Sequence, residues 1–198
     1  MVAASVVQPR PAVLADRVAR TRVHDVLLVL GAALFTALLS QLSIAVPGSP
    51  VPITGQTLAV MLTAAALGPM RGMLGQVAYV LMGAVGLPFY SRGASGFEHV
   101  LGATGGFLVG FIPAAFLVGL AARRGLDRSA WKALPLFVAG QLVIFAIGVP
   151  WLAFVARLEV ATALQKGFLP FVPGALVKAA IAAMLMTLCW RLGRSRRA

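Results

Sequence analysis

Six apolar runs, at approximately residues 25–46, 54–69, 72–89, 101–122, 133–156 and 173–191, occupy most of the 198-residue chain. Inside a bilayer the backbone N–H and C=O groups have no water to bond, so such runs cross it as helices. A hydrocarbon core about 30 Å thick takes roughly 20 helical residues. The second and third runs are short and are divided by LGPMRG, where Gly68, Pro69 and Gly72 mark a tight turn, so their full insertion is not required. With 60% hydrophobic and only 11% charged residues, the chain is too apolar for a soluble domain. The expected architecture is therefore an all-α membrane protein, a bundle of six transmembrane helices. The stretch Val26 to Val46 is longer than the roughly 7–15 residues of a signal-peptide core and reads as a retained first helix.

The basic residues orient this bundle. One parity of loops holds Arg10, Arg17, Arg20, Arg22, Arg71, Arg123, Arg124, Arg128, Lys132, Arg191, Arg194, Arg196 and Arg197, and the other holds only Arg92, Arg157 and Lys166. Thirteen against three predicts that both termini of this integral membrane protein are cytoplasmic. The expected organisation is a basic cytoplasmic segment over 1–24, a six-helix transmembrane domain over 25–191 and a basic cytoplasmic tail over 192–198. The net charge of +12 is spread between apolar runs rather than along one face with aromatics interleaved, which argues for a lipid surface and against nucleic acid. One cysteine, Cys189, excludes an internal disulfide. His24 and His99 lack companions at metal-ligand spacing and read as interfacial polar side chains.

The outward loops, 47–53, 87–100 and 157–172, are rich in Pro, Gly and Ser and are long enough to cover a site. Lys178 sits about one turn inside the outer end of the last helix, where an ammonium either snorkels to the interface or meets a partner. The only outward carboxylates are Glu98 and Glu159, which favours an anionic ligand. Thr54, Gln56, Gln76, Tyr79, Arg92, Thr104 and Gln141 fall on the same side and suggest a polar-tipped pocket beneath loops 47–53 and 87–100. Thr54 and Thr104 also stand where helix caps belong. Small residues recur every four positions: Gly102, Gly106, Gly110 and Ala114; Ala175, Ala179 and Ala183; Ala33 and Ala37. Such rows let membrane helices approach closely. The first two suit packing within the bundle, and Ala33 and Ala37 are the best candidates for docking a partner. No paired carboxylates, placed histidine, nucleophile turn or Walker motif occurs, so neither an enzyme, a cofactor nor an intrinsic ATPase is expected.

VPITGQTLAVMLTAAALGPMRGMLGQVAYVLMGAVGLPFY, residues 51–90, resembles the signature region of the BioY family, the biotin-specific substrate-binding (S) component of energy-coupling factor transporters. LGATGGFLVGFIPAAFLVG (101–119) and FLPFVPGALVKAAIAAML resemble its later motifs, and the likeness covers roughly residues 25–190. The resemblance implies six helices and an outward biotin pocket. It also implies two partners, a transmembrane T component and a pair of cytoplasmic ABC-type ATPases. It assigns Lys178 to the family's lysine, Arg92 to a second basic contact, and Ala33 and Ala37 to the face that meets the T component. Where the resembled motif reads PGD, this chain reads Pro173-Gly174-Ala175, and Tyr79 stands where an asparagine occurs in other members. Gln76, Tyr79 and Gln141 are the alternatives for replacing the lost acceptor. A solitary facilitator of biotin or another small anion, and a ligand-free structural subunit, are the competing readings.

Overall fold

The computed structural model describes residues 13–19 and 21–195. Arg10, Arg20, Arg196 and Arg197, counted above among the inward cations, lie outside the described residues. The architecture is helical: α1 (Arg22–Ser40), α2 (Gln56–Leu67), α3 (Pro69–Ala84), α4 (Phe97–Leu101), α5 (Gly105–Arg123), α6 (Ala130–Val155), α7 (Val160–Gly167) and α8 (Val172–Ser195). The six long helices fall on the six apolar runs. Two short helices, α4 and α7, stand in segments expected as loops. Four stretches, Arg22–Ser40, Gly105–Arg123, Ala130–Val155 and Val160–Gly193, are long and apolar enough to cross a membrane by length and composition. At 1.5 Å per residue, α2 reaches about 18 Å and α3 about 24 Å, short of a full bilayer core.

Local chemistry sets the boundaries. Gly68, at φ +84°, ends α2 and leads directly into Pro69 at the first position of α3, a backbone angle that glycine alone adopts without strain. The expected small-residue row beginning at Gly102 starts later, because Gly102 lies in the break between α4 and α5. A short antiparallel pair, β1 (Ser43–Ile44) with β2 (Ile53–Thr54), joins α1 to α2 and holds residues 45–52 as a hairpin loop.

Small residues make many of the helix contacts inside the bundle, and many large apolar ones face outward. Ala59, Ala64, Ala114, Ala115, Ala179 and Ala182 are fully buried, whereas Leu27, Leu38, Leu81, Phe154 and Val177 are exposed. This inverted pattern suits lipid as the surrounding solvent, where close helix contact comes from packing rather than from excluding water. A Cβ on Gly110 would come within 3.2 Å of the Ile144 Cα, which is why α5 and α6 can run side by side.

The same close packing corrects one expectation. Ala33 and Ala37 do not form an outward docking face; they are 0% and 7% exposed. They share the stripe Ala32, Ala33, Thr36, Ala37 and Ser40 that α1 turns toward α3 and α2. A Cβ on Gly75 of α3 would stand 2.7 Å from the Ala32 Cβ, so the small side chains are used for contact within the chain. Leu27, Leu34 and Leu38 face outward instead.

At one end of the bundle, Arg71 pairs with Asp16 (3.0 Å) and Asp25 (2.7 Å), and the Trp190 indole N–H donates to the buried Asp127 carboxylate at 2.6 Å. Arg128 and Arg17 lie over the Trp190 ring. The polar cavity described next is at the opposite end.

Candidate functional site

The site begins with the hydrogen bond from Lys178 Nζ to the carbonyl of Thr54, 3.0 Å away and 124 residues distant in sequence. α8 supplies the ammonium, and the junction of β2 with α2 supplies the carbonyl. The Thr54 hydroxyl donates to Gln56 Oε1 at 2.7 Å, and its oxygen accepts from the Gln56 backbone N–H at 3.3 Å. Gln56 in turn donates from Nε2 to the Tyr79 hydroxyl, which donates to the Phe89 carbonyl at 3.2 Å. One hydrogen-bonded line thus ties α8, α2, α3 and the loop after α3.

Lys178, Thr54, Gln56, Thr104 and Gln141 line one cavity, together with Val51 and Pro52 of the hairpin and Ser91 and His99 of the 87–100 segment. Its remaining walls are apolar, chiefly Phe107, Phe111, Phe145 and Phe171. It is narrow, about 50 Å³, room for a few waters only. A vestibule between the hairpin and the 87–100 segment shares Val51, Pro52, Ser91, His99 and Thr104 with it and reaches outward to Arg92. None of the chain's five carboxylates is on either wall. The site therefore carries uncompensated positive charge, from Lys178 within and Arg92 at its mouth.

Arg92 is held in the left-handed region at φ +62°, a conformation that costs a non-glycine residue roughly 1–2 kcal/mol. The loop around it is pinned by α1. Ser40 Oγ donates to the Phe89 carbonyl at 2.6 Å, Gln41 Nε2 to the Tyr90 carbonyl at 3.1 Å, and the Gly93 N–H donates to Gln41 Oε1 at 3.0 Å. These bonds hold the backbone on either side of Arg92 and so maintain its strained conformation at the vestibule.

Gln76 and Tyr79 are fully buried and stand off the cavity wall. Tyr79 braces it from behind, its ring packed beside Phe89, Tyr90 and Phe111. Gln76 lies in a separate polar knot, donating to Thr63 Oγ1 at 3.2 Å and Thr36 Oγ1 at 3.3 Å, which joins α1, α2 and α3. Thr104 takes the cap position of α5 without making the cap bond; its hydroxyl instead meets His99 Nε2 at 3.1 Å.

His99, expected only as an interfacial residue, is on the wall. Its ring stacks on Tyr90 with centroids 4.8 Å apart, and burial lowers its pKa below the usual 6.5. Thr57 and Ser91 are further wall residues that the sequence reading missed. Nothing in a lone threonine next to Gln56, or in a loop serine, distinguishes them before the helices are placed.

Comparison with known proteins gives a consistent result. The BioY family profile matches residues 12–195. The biotin transporter BioY of Thermotoga maritima is 41% identical over 155 residues, 78% of this chain and 90% of that protein. The biotin transporter BioY of Rhizobium etli is 37% identical over 164 residues, 77% and 87% of the two chains. The crystal structure of an S-component for biotin from an ECF-type ABC transporter superposes with a TM-score of 0.77 at 24% identity. It covers 89% of this chain and 92% of that one, which shows a shared fold.

Proposed function

The chain belongs to the BioY family, and from that premise we propose that it is a membrane protein that takes up biotin as the S component of an energy-coupling factor transporter. The observation that carries this reading is a cavity whose apolar walls end in one ammonium, several amide and hydroxyl groups, and no carboxylate. Biotin has the complementary parts: an apolar bicycle and chain, a ureido group and an ionised valerate.

In this proposal all six long helices lie in the inner membrane, with both termini and the Arg71, Asp127 and Trp190 end in the cytoplasm. The alternation of basic loops supports that orientation. Biotin enters from outside past Arg92. The cavity is too narrow for it as it stands, so the 45–52 hairpin, whose Val51 is packed into the core, moves aside as a lid. Release inward follows reorientation against a transmembrane T component, powered by cytoplasmic ABC ATPases; the chain has no nucleotide-binding motif of its own. No cofactor or metal enters the proposal, and the transported ligand is biotin.

The test is uptake of labelled biotin by cells lacking their own transporter. The proposal predicts accumulation when this chain is expressed with a T component and active ATPases, and loss of it with hydrolysis-deficient ATPases. Equal accumulation with the chain alone would instead make it a solitary facilitator.

A further inference from the structure

Three buried side-chain polar atoms that lack a hydrogen-bond partner among the described residues belong to this one cavity: Thr57 Oγ1, Ser91 Oγ and Gln141 Oε1. Unpaired buried polar atoms are rare because each forfeits its hydration, so three around one space point to a ligand that pairs them.

Gln141 is the most specific of the three. It is 3% exposed, midway along α6, and its Nε2 donates to the Ala175 carbonyl of α8 at 2.6 Å. A carbonyl only accepts, so this bond decides which end of the amide is which and leaves Oε1 as an atom that can only accept. Ala175 precedes Lys178 by three residues, hence lies on the same face of α8. The amide is thus anchored beside the ammonium, and the cavity presents an acceptor and a donor side by side.

We propose that Gln141 Oε1 accepts a hydrogen bond from a ureido N–H of bound biotin and so sets which end of the vitamin lies deepest. This rests on the biotin reading above. The ureido nitrogens are the only N–H donors biotin has. Its valerate is ionised and only accepts, so placing it against Gln141 Oε1 would oppose two acceptors, and the valerate pairs with the neighbouring Lys178 ammonium instead of this oxygen. The hydroxyls of Thr57 and Ser91 each both donate and accept, and suit the ureido oxygen or the second N–H. Gln141 is in this sense a specificity-determining residue: it selects for the urea over ring systems that lack the N–H.

The experiment uses the purified full chain and compares wild type with Gln141→Leu, which removes the acceptor at similar volume. Each is titrated with biotin and with the two isomers methylated at one or the other ureido nitrogen. The expected result is a loss of biotin affinity of about tenfold or more on substitution, the scale of a buried hydrogen bond left unmade. One methylated isomer, disfavoured by wild type, should bind the variant within about twofold of biotin itself. Unchanged biotin affinity in the variant, or a full penalty for both isomers in it, overturns the assignment. Ligand-free thermal unfolding checks that the variant folds, and Gln141→Met, unbranched like glutamine, gives the same readout should leucine prevent folding. Wild type that binds no biotin at all overturns the biotin reading itself, a distinct outcome from a wild type that binds and a Gln141 variant that binds equally well.

Discussion

Lys178 shows how a charge deep in an apolar helix is accommodated. Its ammonium does not snorkel out along α8 but bonds to the Thr54 carbonyl across the cavity, a neutral partner that leaves its charge available to a ligand. That Lys178, Thr54, Gln56, Thr104 and Gln141 gather at one cavity was legible in the sequence, because Lys178 and Gln141 are polar residues inside apolar helices and the other three stand at helix starts on the same side. The displacement of Gln76 and Tyr79 from the wall was not. Each residue turns a helix by about 100°, and depth along the axis says nothing about which neighbour a side chain meets. His99 was hidden for another reason: its position depends on stacking with Tyr90 from the same loop, a contact with no sequence spacing to announce it. It supports a pH prediction. Burial lowers its folded pKa below 6.5, so as pH falls through 6.5 the unfolded chain binds the proton more readily and stability is lost. Thermal unfolding in detergent is expected to show a midpoint that drops between about pH 7 and about pH 5, with His99→Gln giving a shallower slope. An equal slope in the variant would show that His99 is not held neutral by its surroundings.

Among the elements, the six long helices follow the apolar runs closely, whereas α4 and α7, five and eight residues long, are too short to stand out as apolar runs. The small-residue row of α1 taught a different lesson. Ala33 and Ala37 signal close approach, but the row does not say whether the neighbour is another helix of the chain or a partner. Leucines on the opposite face, which would be a core stripe in water, face outward here, and the alanines meet α3 and α2. The knot of Gln76, Thr36 and Thr63 ties those three helices together. Gln76→Leu should lower stability by about 1 kcal/mol, given that interhelical hydrogen bonds in membranes are worth roughly 0.6 kcal/mol each and two are lost. Biotin affinity should stay within about twofold, since the cavity wall is untouched. Unfolding and titration of the same preparation measure both; a large loss of affinity with unchanged stability would move Gln76 into the binding site.

For the whole molecule, the proposal joins a narrow cavity to a route of entry. Opening requires the hairpin to separate from the 87–100 segment, and Ser49 of the hairpin and Arg92 of that segment both line the vestibule. Cysteines at these two positions, with Cys189→Ala to remove the exposed native thiol, are expected to block biotin exchange once crosslinked and to restore it on reduction. Exchange that continues at full rate in the crosslinked protein would remove the lid from the mechanism. The central claim, that biotin occupies the cavity closed by Lys178, is tested most directly by calorimetric titration of the purified chain and of Lys178→Ala. Wild type should bind one biotin per chain. The variant should lose about 1.5–3 kcal/mol, the scale of a hydrogen bond to a charged group, or roughly tenfold to a hundredfold in affinity. No binding by wild type, or a variant within about twofold of it, would contradict the account.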